Sequence, residues 1–125
     1  MAITTAMCSS FKQELLGGVH DLDTHTIKIA LIKNSPSGTY GVATTNYSNV
    51  TGASDEAVGT NYTAGGQNLD GAAIALSGTT AFLDFTDEVF STVTISADGC
   101  IIYNSSASNK AIAVFDFGGT VSATA

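Results

Sequence analysis

The chain has no arginine, no tryptophan and a single proline in 125 residues, and its charge is sparse. Charged side chains make up 12% of it, against roughly 25% in ordinary globular domains. The only cations are four lysines, set against eleven carboxylates, for a net charge of −7. Nucleic-acid phosphates are held by clusters of several cations, so this composition argues against a nucleic-acid partner. It argues against an anionic membrane surface on the same ground. No apolar run reaches the ~18 residues of a membrane span. The N-terminus lacks the basic and apolar regions of a secretory leader. Cys8 and Cys100 stand far apart and in no zinc-binding spacing. They read as separate free thiols, each behaving as a small hydrophobe, with a disulfide open only if the fold brings them together.

What the chain does contain is 44% apolar residues and thirteen glycines. That is too apolar and too weakly charged for disorder. The length fits one domain with its own core. With so few charges the surface must be Ser, Thr, Asn and Gly, which suits β proteins and proteins covered by neighbours. Four Asn-x-Ser/Thr sequons, at Asn46, Asn49, Asn61 and Asn104, follow from that composition.

The chain reads as a single domain over residues 1–125: an extended arm at 1–9, a helix at 10–20 and a sheet over 26–117. Ser10 and Gln13 have the spacing of a capping box, in which each side chain bonds the other's backbone N–H. Phe11, Leu15 and Val19 follow at helical spacing and would anchor the helix on the sheet. Gly17-Gly18 ends the helix at about residue 16 or frays it towards His20. From Thr26 the period becomes two, with Ile27, Ile29 and Leu31 alternating with Thr26, Lys28 and Ala30, a strand with one buried face.

Residues 39–69 are polar and irregular, and a loop of thirty residues is unusual inside a compact domain. A helical turn near 54–58 and an edge strand over 62–68, around Gly65-Gly66, would break it up. Four strands are predicted at 72–76, 79–85, 89–96 and 99–104, and a fifth at 111–117. Ser77-Gly78 and Asp98-Gly99 signal two-residue hairpins, hence antiparallel pairing. The fold class is therefore mainly β: an antiparallel β-sandwich or flattened barrel of about six to eight strands with one short N-terminal helix. Gly118-Gly119 resembles a further hairpin turn with too little chain behind it for a return strand. Residues 111–117 would then be an open edge, a template for strand addition. The expected contact residues are Met1, Ala2 and Ile3 of the arm and Ala111, Ile112, Ala113, Val114 and Phe115 of the edge.

Catalytic patterns are sparse. His20 and His25 flank Asp21 and Asp23, which allows a metal or acid–base reading, but the segment reads better as a polar turn from helix to strand. Asp84, Asp87 and Glu88, with Asp116, allow a carboxylate-dependent hydrolase or calcium site; the plainer reading is a solvated turn. No G-x-S-x-G elbow and no phosphate-binding glycine loop occurs. Tyr40, Tyr47 and Tyr62 would suit glycan contact if exposed together, and core or interface filling otherwise. No cofactor is implied.

Five stretches carry a family resemblance: 9–21 (SSFKQELLGGVHD), 61–66 (NYTAGG), 77–85 (SGTTAFLDF), 101–105 (IIYNS) and 109–119 (NKAIAVFDFGG). Together, in order and over nearly the whole chain, they resemble small proteins encoded among the virion genes of tailed, often marine, bacteriophages. The resemblance implies a virion structural role, a capsid decoration or cement protein made in the host cytoplasm. It implies a homo-oligomer packed against the major capsid or tail protein, and no catalytic residues. Such proteins continue past the paired glycines into a further strand or two, whereas this chain stops at Ala125, and residues 48–57 are expanded. The alternatives are a tail or fibre module binding a receptor or glycan through Tyr40, Tyr47 and Tyr62, and the hydrolase of Asp84, Asp87 and Glu88.

Overall fold

A computed structural model describes residues 2–125. The strands are β1 (Ala6–Met7), β2 (Ile27–Lys33), β3 (Gln67–Leu69), β4 (Ala73–Ser77), β5 (Thr80–Asp84), β6 (Ile95–Asn104) and β7 (Lys110–Ala123). The helices are α1 (Ser9–Leu16) and the short α2 (Ser48–Gly52). Five strands form one antiparallel sheet in the order β1-β7-β6-β2-β3, and β4 and β5 pair as a separate hairpin. The fold is mainly β with one short helix near the N-terminus, as the residue pattern predicts.

Strand β2 shows why the sheet is stable. Ala30, Leu31 and Ile32 are all buried, so both faces of the strand are covered. Ile27, Ala30 and Ile32 join a core with Cys8, Phe11, Val50, Ile101 and Val114. Leu31 joins a second one with Ala57, Val93, Ile95, Ala97 and Cys100. The expectation of one buried face lined by Ile27, Ile29 and Leu31 therefore fails: Ile27 packs with Ala30 and Ile32, and Ile29 and Leu31 pack on the other core.

Several boundaries move, each for a physical reason. Residues 95–104 form one strand, because Asp98-Gly99 makes a bulge in the β6–β7 ladder instead of a turn. A Cβ on Gly99 would collide with the Phe115 carbonyl and the Ile3 side chain, so this glycine serves close packing. Asp98 is not wasted: its carboxylate accepts from the Ser35 N–H at 2.9 Å and the Thr120 hydroxyl at 2.6 Å. Gly118-Gly119 is likewise a bulge, and β7 runs through it until Val121 pairs with Ala97. Residues 89–93 are not strand, since Thr92 takes a left-handed backbone (φ 56°), a conformation that interrupts a strand, above all at a β-branched residue. Helix α1 starts behind Cys8 with no side-chain cap, and Ser10 Oγ is buried without a partner among the described residues. The Ser10–Gln13 capping box does not form. Only Phe11 of the expected anchoring face is buried; Leu15 and Val19 stay largely exposed.

The long irregular segment is held by two adjacent carboxylates just after α2. Asp55 is buried and accepts hydrogen bonds from the Tyr40 hydroxyl (2.6 Å), the Gly38 N–H (2.7 Å) and the Ser37 N–H (2.9 Å). Lys33 Nζ lies 3.2 Å away. Glu56 accepts from the hydroxyls of Tyr47 and Tyr62 and from the Gly65 N–H (2.7 Å). Backbone bonds from Lys33 N–H to Asp55 and from Ala57 N–H to Leu31 then lay this pair along the β2 strand. Gly66 follows at φ +78°, where a Cβ would collide with the Ile29 carbonyl, so only glycine lets β3 approach β2.

Burial by itself would raise the Asp55 carboxyl. The bonds from Tyr40, Ser37, Gly38 and Lys33 outweigh it and hold the group well below the usual carboxylate range. Its stabilising contribution is therefore complete above the unfolded value of about 3.9 and is lost as pH falls through the lower folded value. Asp55→Asn should cost about 3–5 kcal/mol, because it leaves Lys33 and several donors without their anion. Urea unfolding at neutral pH and near pH 3 should show the wild type losing stability on acidification and the variant losing less.

Candidate assembly surface

The expected contact residues prove to be internal. Met1 lies outside the described residues. The Ala2 carbonyl accepts the Tyr40 N–H, and the Thr4 N–H bonds the Tyr40 carbonyl, both at 2.9 Å, with Ile3 buried between them. The arm then pairs with its own sheet, Ala6 opposite Val114 and Met7 opposite Ala113. Ala111, Ile112, Ala113 and Val114 are accordingly buried, and only Phe115 of that segment is partly exposed. The edge is not open at 111–114, because residues 6–8 close it over 112–114 and the Thr45 carbonyl takes the Ala111 N–H. Beyond that point no strand covers it among the described residues: residues 115–116 and 121–123 pair with β6, residues 117–120 bulge out of the ladder, and the Asp116 and Gly118 N–H groups bond Thr5 Oγ1 and Asp116 Oδ1. Phe115, Phe117 and Val121 are exposed along this stretch.

A second apolar surface lies on the β4–β5 hairpin. Gly78 turns it at φ +60°, and the register sets Ile74 opposite Leu83, Ala75 opposite Phe82 and Leu76 opposite Ala81. Directly opposed residues share a face. One face therefore carries Ile74, Leu76, Ala81 and Leu83, and the other carries Ala73, Ala75 and Phe82. Ile74 is 58% exposed, Leu76 73% and Phe82 44%. Residues 71–83 contain no charge. The hairpin is rooted at its base, where Leu69 and Phe85 pack on the main core and the Thr86 N–H bonds the Asp70 carbonyl at 2.9 Å. Beyond the root it stands away from the sheet. Two-stranded hairpins are marginal on their own, and scattered single apolar residues on a surface are ordinary, but a contiguous set marks a contact site.

The other candidates are absorbed by structure. Tyr40 is buried, and Tyr47 and Tyr62 are half-buried. All three turn their hydroxyls onto Asp55 or Glu56, so they do not form an exposed sugar platform. Burial raises each phenol above its usual pKa, and the adjoining carboxylates add to this. Tyr47 also stacks on Tyr103 with ring centres 4.4 Å apart.

The segment 20–25 is a turn, in which Asp21 Oδ1 accepts from the N–H groups of Asp23 and Thr24. Buried Asn104 donates to Nδ1 of His20 (3.0 Å) and of His25 (2.9 Å), and His20 Nε2 reaches Glu14 at 3.0 Å. The imidazoles clamp this turn to the end of β6. Asp84 and Asp87 are exposed and Glu88 is half-buried. Asp84 accepts the N–H of its neighbour Phe85 at 2.9 Å, as a turn residue does. No group of three or more His, Cys, Asp or Glu suited to a metal occurs among the described residues. An open groove of about 770 Å³, lined in part by Lys33, Glu56, Thr94 and Ser122, brings none of these carboxylates in except Glu56, already engaged with two tyrosines.

Cys8 and Cys100 are free, buried and in different cores. Burial pushes their thiols up to about 11 and about 12. Thiols this weakly acidic carry little thiolate at neutral pH. Iodoacetamide at about pH 8 should leave both unmodified in the native protein and alkylate both in concentrated guanidinium, as read by intact mass.

No helix is long and apolar enough to cross a membrane among the described residues. The chain matches no protein-family model, no curated protein and no solved structure.

Proposed function

We propose that this chain is a non-catalytic structural protein that works by packing against neighbouring protein subunits. Its setting is the one the sequence resemblance implies, the particle of a tailed bacteriophage, where it serves as a capsid decoration or cement protein. The observation that carries this reading is the projecting β4–β5 hairpin, which is uncharged over residues 71–83 and exposes Ile74, Leu76 and Phe82. Isolated in water such an element gains little; laid against another subunit it buries both apolar side chains and strand edges. The engagement of Tyr40, Tyr47 and Tyr62 with buried carboxylates favours this reading over a glycan-binding module. The exposure of Asp84 and Asp87 favours it over a hydrolase. Repetition on a symmetric shell would multiply weak contacts into firm attachment.

Quantitative mass spectrometry of purified phage particles tests the setting. The chain should be present at a fixed, high copy number relative to the major capsid protein and should persist through density-gradient purification. Particles that lack it would overturn the virion reading.

A further inference from the structure

We propose that the occupant of the β4–β5 hairpin is a second copy of this chain, and that the hairpin docks by strand addition on the unpaired outer edge of β7 beyond its bulge, residues 121–123, of that copy. The inference rests on the assembly reading above and names its partner and its geometry.

Each surface has what the other lacks. The hairpin has two strands whose outer edges pair with nothing among the described residues, and both of its faces are exposed. Beyond the bulge, residues 121–123 of β7 have one edge paired with β6 and the other unpaired among the described residues. Backbone N–H and C=O groups on such edges are templates for a further strand. The hairpin would also bring Ile74, Leu76 and Phe82 towards Phe117 and Val121, which are exposed beside that edge.

The sheet order shows why the two surfaces belong to different copies. The hairpin leaves the chain directly after β3, at one end of the order β1-β7-β6-β2-β3. Strands β2 and β6 stand between β3 and β7. The edge that the hairpin fits is on the far side of its own sheet and is offered by a neighbour.

Charge points the same way. At −7 the chain repels its own copies wherever carboxylates would face one another. Residues 71–83 and 121–123 carry no charge. The carboxylates beside the receiving strand, Asp98 and Asp116, already hold the Thr120 hydroxyl and the Gly118 N–H.

The exposed area is in proportion. The chain exposes 6725 Å², whereas a compact monomer of its mass exposes about 6,200 Å². The excess of about 500 Å² is most of the roughly 800 Å² that each partner buries in a standard protein interface. Because the donating and receiving surfaces differ, the contact is head-to-tail, and copies linked this way close into a ring or extend as a filament.

The test uses the full chain and two exposed-site variants, Leu76→Asp on the hairpin and Val121→Asp on the edge. Circular dichroism and urea unfolding check that each still folds. Sedimentation velocity and native mass spectrometry read the assembly state. The wild type should self-associate with concentration, and each variant should weaken association at least tenfold. Mixed together, the variants should form a one-to-one complex and stop there, because Val121→Asp supplies an intact hairpin and Leu76→Asp an intact edge. A wild type that stays monomeric at about 100 μM, well above the Kd of ordinary stable interfaces, would overturn the proposal. So would association insensitive to both variants, or variants that fail to complement. Particle composition keeps the two readings apart. A chain abundant in particles but monomeric alone sinks only the self-docking, and a self-associating chain absent from particles sinks only the virion setting.

Discussion

The buried carboxylate of Asp55 is the interaction on which most of the remaining structure depends. Placing an anion in a protein interior costs several kcal/mol unless donors replace its water. Here the donors come from one short stretch that wraps the carboxylate: Lys33 at the end of β2, Ser37 and Gly38 in the loop that follows, and Tyr40 just beyond it. Satisfying that one charge fixes where the loop begins and how it returns. Tyr40 in turn holds the N-terminal arm through its backbone, and the arm closes the β7 edge as far as Val114. Glu56 extends the same device to Tyr47, Tyr62 and Gly65, and so delivers the chain to β3. Two neighbouring acidic residues thus order a segment that has almost no regular secondary structure.

A chain with four lysines has few other ways to do this. Ion pairs are scarce, and the principal buried one, Lys33–Asp55, belongs to the knot itself. Elsewhere order comes from apolar burial on both faces of β2 and from side-chain hydrogen bonds of Asn, Ser, Thr and Tyr. Such bonds contribute about 1 kcal/mol each when formed, but a buried donor left unmatched costs more. The pattern favours a unique arrangement over a very stable one. It also leaves the stretch 71–83 free of charge, which lowers the desolvation cost of bringing another protein against it.

The elements that a local pattern determines were legible in the sequence. Helix α1, strand β2, the Ser77-Gly78 hairpin and the mainly-β class were visible in spacing and turn chemistry, although the helix stops at Leu16 short of residue 20, its capping box does not form and β2 is buried on both faces. Positions decided by distant partners were not legible. Asp98-Gly99 and Gly118-Gly119 have the composition of tight turns, yet a glycine pair serves equally well in a bulge, and the β6–β7 pairing chooses the bulge. The tyrosines carry no local sign that carboxylates fifteen or fewer positions away will bind their hydroxyls. The closing of the edge at Ala113 and Val114 depends on an arm more than a hundred residues earlier in the chain, as the Asp116–Thr5 bond also does. A sharper signal for the contact surface was present: residues 71–83 are uncharged and apolar on both alternating positions, unlike a strand that lies half in water.

An antiparallel sheet must end somewhere, and each end exposes backbone groups that attract another strand. This chain treats its edges unequally. At the near half of β7 it places β1 across Ala113 and Val114, and Thr5 Oγ1 accepts the Asp116 N–H at 2.9 Å. At the far half a bulge follows, with the Asp116 carboxylate on the Gly118 N–H and Asp98 on the Thr120 hydroxyl, devices that blunt an edge. Only residues 121–123, past the bulge, keep an edge with no strand, carboxylate or proline across it among the described residues. The hairpin at the opposite side of the sheet has the complementary defect, strands without a layer to lie on. Under the proposed docking both defects have a single physical cause: the sheet is incomplete within one copy because its last strands are supplied by the next.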